Sequence, residues 1–218
     1  MNNETIDVLY RSRITLLDHL DSEGYDTTPY RKFSTKEIME MVKAGPVAGA
    51  PPALMMELMR KVPEEGRHSK CVVVYTLGKI KQKLSAFTLK IIDKDEAGFD
   101  PTTTELIVIT LEPVVTVFHA MAFACHTQHA TKVRYFRAMA LVNNPLKHQL
   151  VPLHEKVPAA EEEELLKSMY AKKAQLPIIR FHEDPIARLI GLMPDDIVKI
   201  TRPSLTAGEC VGYRICRP

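Results

Sequence analysis

Tryptophan is absent from the chain, and aromatic residues make up only 6% of its 218 positions. No apolar run approaches the roughly 20 residues that a membrane-crossing helix requires, so no membrane partner is expected. The four cysteines, Cys71, Cys125, Cys210 and Cys216, include no CxxC pair, which excludes zinc-ribbon and dithiol redox spacings. The opening MNNETIDVLYRSR has no apolar stretch of the secretory kind. The expectation is a reducing, intracellular compartment without disulfides. There is no GxxxxGK followed by Ser or Thr, no HExxH and no GxSxG. Nucleotide-phosphate loops, zinc proteases and the common hydrolase nucleophile therefore lack their signatures. No cofactor and no bound metal are expected.

Acidic residues are also missing locally. Residues 113–154 contain no Asp or Glu, but they hold Lys132, Arg134, Arg137, Lys147 and five histidines. Residues 66–92 are acid-free as well and carry Arg67, Lys70, Lys79, Lys81, Lys83 and Lys90. The formal net charge is only +2, so these windows matter as a positive face rather than as bulk charge. Ordinary solvated surface is the competing reading.

A chain of this length suits one large domain or two small ones. Ile6, Leu9, Ile14, Leu17 and Leu20 recur near helical spacing and predict an amphipathic helix over residues 4–20. SEGYDTTPY stops it, with Gly24 at the cap. Ser34 and Glu37 form a capping box that starts a second helix. AGPVAGAPPA, residues 44–53, reads as a loop, and residues 54–60 as a short helix. CVVVYTL (71–77), LSAFTLKII (84–92) and ELIVITL (105–111) read as three strands, with GKIKQK a basic connection between the first two. Helix-like sequence runs over residues 114–139. NNPLKHQ, residues 143–149, has the turn chemistry of a domain boundary.

Past that boundary QLVPLHE reads as a strand, and VPAAEEEELLKSMY as a helix with acids in its first turn. QLPIIRF is short and extended. EDPIARLIGL reads as a helix capped by Asp184, with Pro185 at its first position and Gly191 at its stop. DIVKITRP and ECVGYRICR read as two strands joined by SLTAG.

Three constellations bear on chemistry. IVKITRPSLTAGE, residues 197–209, gathers Arg202, Ser204, Thr206 and Gly208 between two strands. A phosphate cradle needs a helix N-terminus after such a cluster, and none is predicted there. His119, Cys125, His126 and His129 share one helical stretch, with Cys125 and His129 a turn apart. Two ligands fall short of a structural zinc site, and an ordinary helix surface is the preferred reading. Finally, the αβββαβ-like order with acids beside strands resembles that of a restriction-endonuclease core. Its metal chemistry needs an acid followed by Glu-x-Lys or Asp-x-Lys. Asp100 and Glu105 are available, but Ile107 stands two places after Glu105, and Val114 two places after Glu112. The set is incomplete, so a nuclease ranks third, behind binding and assembly roles.

HQLVPLHE, ELLKSMY, QLPIIRFHEDPIARLIGL, IVKITRPSLTAG and YRIC, in this order and spacing, closely resemble the C-terminal assembly domain of the fifth subunit of eukaryotic nuclear RNA polymerases. Archaeal polymerases carry a counterpart of the same domain. LYRSRITLLDHLDSEGYDTT resembles the family's opening helix and turn, and Phe136 with LVNNPLKHQLVP keeps its spacing into the second domain. The resemblance implies an α/β protein: an N-terminal three-layer restriction-endonuclease-like jaw domain, residues 1–144, and a small C-terminal α/β assembly domain, residues 145–218. It implies no catalysis, a nuclear location, and docking on the largest polymerase subunit beside other subunits. The jaw would lie near downstream double-stranded DNA.

On that reading IVKITRPSLTAGE is a docking hairpin, in which Pro203 ends the ladder and Gly208 turns the chain back. Asp184, Pro185, Arg188, Arg202, Ser204, Thr206, Gly208, Tyr213 and Arg214 are the expected partner-facing residues. Lys79, Lys81, Lys83, Lys132, Arg134 and Arg137 are expected to meet DNA through weak, non-specific phosphate contacts. The chain departs from the family's Lys-Arg-Gly after GL, reading Met193-Pro194-Asp195 before Asp196, and from its Arg after AG, reading Glu209. The jaw's Thr-Pro-Ser-Ala element is missing as well. These departures fit a version serving one polymerase class, such as a nucleolar polymerase I form. A stand-alone transcription-factor adaptor using the same assembly domain is the competing reading.

Overall fold

A computed structural model describes residues 2–44, 54–62, 67–92 and 99–218. The loop expected at 44–53 lies outside these, apart from Ala44, which ends a helix. The chain forms two compact units, Met1–Asn143 and Asn144–Pro218.

The first unit opens with α1 (Asn3–Ser22), which buries Ile6, Leu9, Leu16, Leu17 and Leu20 along one stripe. Gly24, at φ +92°, turns the chain away after it. The capping box forms as its residues dictate. Ser34 donates to Glu37 Oε2 through its backbone N–H at 2.6 Å and its hydroxyl at 2.7 Å, and its Oγ accepts from the Glu37 N–H at 3.3 Å. It starts α2 (Thr35–Ala44), which buries Ile38.

The sheet of this unit has the order β1 (Met56–Met59), β2 (Lys70–Thr76), β3 (Thr104–Thr110), β4 (Val133–Arg137). β1 runs antiparallel to β2, and β2, β3 and β4 are parallel. Parallel neighbours need a crossover, and this corrects the expected three consecutive strands. Residues 84–92 form α3 (Leu84–Ile92), not a strand, and bury Leu84, Thr88 and Ile92 at every fourth position. Residues 54–60 do not form a helix. Met56 and Leu58 are buried and alternate with exposed Glu57 and Met59, so a period of two wins over helix propensity. The helix-like run at 114–139 is also divided. α4 (Thr116–His129) ends at Ala130, which takes φ +51°, and β4 follows. All seven residues of β3 are buried. Helices therefore cover both faces of the sheet, giving three layers.

The second unit has its own four-stranded sheet in the order β5 (Leu153–Lys156), β7 (Ile197–Ser204), β8 (Gly208–Arg217), β6 (Ile178–Arg180). Its helices are α5 (Ala159–Ser168) and the short α6 (Pro185–Leu189). Ile179, Phe181, Ile186, Leu189, Ile197, Val198, Ile200 and Ile215 make its core. Pro203 does not end the ladder, because β7 runs on to pair Ser204 with Gly208. Past Thr201 the strand has no β5 neighbour, so a missing N–H interrupts nothing on that side. Gly208 reverses the chain at φ +72°.

Candidate interaction surfaces

The β7–β8 register divides the expected partner-facing set between two faces. Val198 opposes Arg214, Arg202 opposes Cys210, and Ser204 opposes Gly208, so Arg202, Ser204 and Arg214 share one side. Tyr213 opposes Lys199 and lies on the other, beside a groove floored by Val157 and Leu165 and edged by Glu161 and Glu164 of α5. Arg202 and Thr206 are exposed, and Arg214 is half-buried, with its Nη1 donating to the Ile178 carbonyl at 3.0 Å. Asp184 is committed internally: Oδ1 accepts from the N–H groups of Ile186 at 2.8 Å and Ala187 at 2.9 Å, with Pro185 at the first helical position. Arg188 is half-buried, and burial lowers its pKa.

The departures from the family pattern find partners at home. Asp196 pairs with Lys156 at 2.7 Å and accepts from the Met193 N–H at 2.7 Å. Asp195 pairs with Arg217 at 2.6 Å and adopts φ +73°, a conformation that glycine favours. Glu209 is exposed at the start of β8.

In the first unit Lys79, Lys81 and Lys83 are exposed just after β2, and Arg137 is exposed at the end of β4. Thr76 pairs with Thr110, and Thr110 with Arg137, so these cations gather at the C-terminal edge of three parallel strands. Ligands of open α/β sheets bind at that edge. Glu112 fastens the lysine turn to the end of β3, its Oε2 accepting from the N–H groups of Ile80 at 2.8 Å and Lys81 at 3.2 Å. The sequence had shown Glu112 only as a failed metal ligand, because nothing local links it to residues 80 and 81.

Lys132 and Arg134 are not surface cations, which corrects their expected place facing DNA. Arg134 is 2% exposed and donates to Glu105 Oε1 at 2.7 Å and Glu23 Oε2 at 3.0 Å. Lys132 Nζ lies 3.0 Å from Glu105 Oε2, and His19 Nε2 lies 3.4 Å from Glu23 Oε1. Burial alone would push the Glu105 carboxyl up, but Arg134 and Lys132 outweigh it and hold it at about 2. Burial likewise opposes the Arg134 charge, and Glu105 and Glu23 reverse that and raise its pKa. Glu105 is thus neutralised by fixed cations. Asp100 accepts from the Thr102 N–H at 3.0 Å and its hydroxyl at 2.8 Å, shaping the turn before β3. Cys125 is buried, its thiol pushed up by burial to about 11, while His129 is exposed. Among the described residues no three His, Cys, Asp or Glu side chains are grouped to hold a metal ion, and no helix is long and apolar enough to cross a membrane.

Residues 143–216 match the family model described as RNA polymerase Rpb5, C-terminal domain. Over 68 residues, 31% of this chain, the sequence is 59% identical to a protein of Archaeoglobus fulgidus named DNA-directed RNA polymerase subunit Rpo5, and the match covers 88% of that protein. It is 38% identical over 110 residues, half of this chain, to the Dictyostelium discoideum protein named DNA-directed RNA polymerases I, II, and III subunit rpabc1, covering 55% of that protein. The Caenorhabditis elegans protein named RPABC1 is 42% identical over 83 residues, covering 38% of this chain and 39% of that protein.

Proposed function

The chain belongs to the Rpb5 family of RNA polymerase subunits, and from that premise we propose that it is a non-catalytic subunit of a nuclear DNA-directed RNA polymerase. The observation that carries this reading is the 59% identity to an archaeal subunit over 88% of that protein. The second unit docks on the largest subunit through the β7–β8 hairpin. Arg202, Ser204 and Arg214 meet it on one face, Tyr213 serves the other, and Thr206 and Gly208 sit at the tip. Asp184, Pro185 and Arg188 contribute the end of a helix whose cap is already spent on its own backbone. The first unit stands as a jaw near downstream duplex. Lys79, Lys81, Lys83 and Arg137 supply weak phosphate contacts without reading bases.

Recovery of the largest subunit with the tagged chain from nuclear extract, measured by quantitative mass spectrometry, tests the docking. Arg202→Glu with Tyr213→Ala should lower recovery at least tenfold while the circular dichroism stays unchanged, and unchanged recovery would refute the hairpin. Replacing Lys79, Lys81 and Lys83 with Gln should flatten the salt dependence of DNA binding by roughly one log-log unit per lysine, whereas Lys132→Gln should leave it alone. A stand-alone adaptor would be recovered without stoichiometric catalytic subunits.

A polymerase I-specific, nucleolar version is a second reading, and of its acidic departures one residue is left to support it. Asp195 and Asp196 are answered by Arg217 and Lys156 within their own unit, leaving Glu209 exposed where the family carries arginine. The same experiment decides it: recovery of one largest subunit favours the version, and recovery of all three removes it.

A further inference from the structure

The buried residues of α1 include an arginine. Arg13 lies among Leu9, Leu16, Leu17 and Leu20 and is 4% exposed. A guanidinium this deep is normally matched by a carboxylate, yet Arg13 has no carboxylate partner among the described residues. Its Nη1 donates to the Leu54 carbonyl at 3.5 Å, the outer limit of a hydrogen bond, and its Nε has no partner. Tyr75 faces the same guanidinium and partly offsets its burial, but a neutral phenol supplies no counter-charge. The rings of Tyr30 and Phe33 lie 5.8 and 5.3 Å from the guanidinium carbon and supply part of the missing stabilisation.

Arg13 also lines a cavity of about 130 Å³ shared with Tyr10, Ile14, Leu17, Phe33 and Ile38. Cofactor and drug-sized sites usually measure about 300–1,000 Å³, so this one suits a single side chain. The other cation on its wall, Arg31, is already balanced by Asp18 at 2.7 Å and Asp21 at 3.5 Å. The uncompensated charge in the cavity is therefore that of Arg13. Burial lowers its pKa from the usual arginine value, the direction expected of a cation without a counter-charge.

We propose that this cavity receives one carboxylate side chain, Glu or Asp, presented by a partner polypeptide. The carboxylate accepts from the Arg13 guanidinium, a charge-assisted contact, and its apolar stem lies against Ile14 and Phe33. A polypeptide suits the site better than a free acid, because a second groove follows the same two helices past Ile6, Asp7, Thr35, Lys36 and Met39. That groove gives the residues flanking the acid a path. The proposal does not depend on the polymerase reading.

Nitrogen-15-labelled full-length protein tests it through the arginine Nε–H resonances and the ring protons of Tyr30 and Phe33. The probes are a capped Leu-Glu-Leu tripeptide, its Leu-Gln-Leu isostere and 3-methylbutyrate as a free acid. The acidic tripeptide should shift the Arg13 Nε–H and bind at least tenfold more tightly than the glutamine form. Arg13→Lys, which keeps the charge but loses the fork, should weaken it by a similar factor. Equal binding of both tripeptides, no shift at all, or shifts confined to Arg31 would overturn the site. Binding of 3-methylbutyrate as tight as that of the tripeptide would overturn the polypeptide as its source. The wild-type titration decides the matter even where Arg13→Lys does not fold.

Discussion

The two units handle charge in opposite ways. The first puts its strongest ion pairs inside, with Glu105 at 1% exposure and Arg134 at 2%. The second keeps its pairs at the surface, as with Arg217 and Asp195, whose side chains are 40% and 60% exposed. The difference follows from the sheets. β3 is buried along its whole length, as is β4 up to Phe136, so any charge placed in these stretches must be answered by another. β8 is exposed from Gly208 to Gly212, and its polar groups can be answered by water or by a partner. A positive window in the sequence therefore means a positive face only where the fold leaves one open. Lys79, Lys81 and Lys83 satisfy that condition, and Lys132 and Arg134 do not.

Replacing one member of the inner network should have the largest effect. Arg134→Met leaves buried Glu105 and half-buried Glu23 without their main cation, and the loss of a buried partner costs about 3–5 kcal/mol. Urea titration followed by circular dichroism should show it, and a cost below about 1 kcal/mol would erase the contrast between the units. Acid comes next. The Glu105 carboxyl is held at about 2, below its ordinary 4.5. Its contribution is therefore complete above pH 4.5 and is lost as the pH falls towards 2. That contribution is on the order of 3 kcal/mol, read as a drop in urea midpoint across this window that Arg134→Met should abolish.

In the second unit Asp184→Ala removes a cap that satisfies two backbone donors, at about 1 kcal/mol. The thermal midpoint reports it. Smallest of all, Arg217→Ala breaks an exposed pair and should cost under about 1 kcal/mol. A cost equal to that of Arg134→Met would show that exposure is not what separates the two networks.

Legibility in the sequence followed the range of the interactions. The Ser34–Glu37 box and the Asp184 cap were readable because each joins residues two or three positions apart. α3 and β1 were misread because short apolar runs carry no decisive period, and the choice came from pairing with β2 and from the crossover that parallel strands require. Glu23 and Arg134, and likewise Glu112 and the lysine turn, are joined across distances that no local pattern encodes.

The sequence by itself determined the family, through ordered words in the last third of the chain, and the local caps and turns that any such sequence must form. Only the tertiary structure decided which charges face water. That choice depends on which strand faces are covered, and coverage is a property of packed layers rather than of neighbouring residues. The same packing left Arg13 in a core without a carboxylate, a fact invisible in a helix whose stripe is mostly leucine and isoleucine.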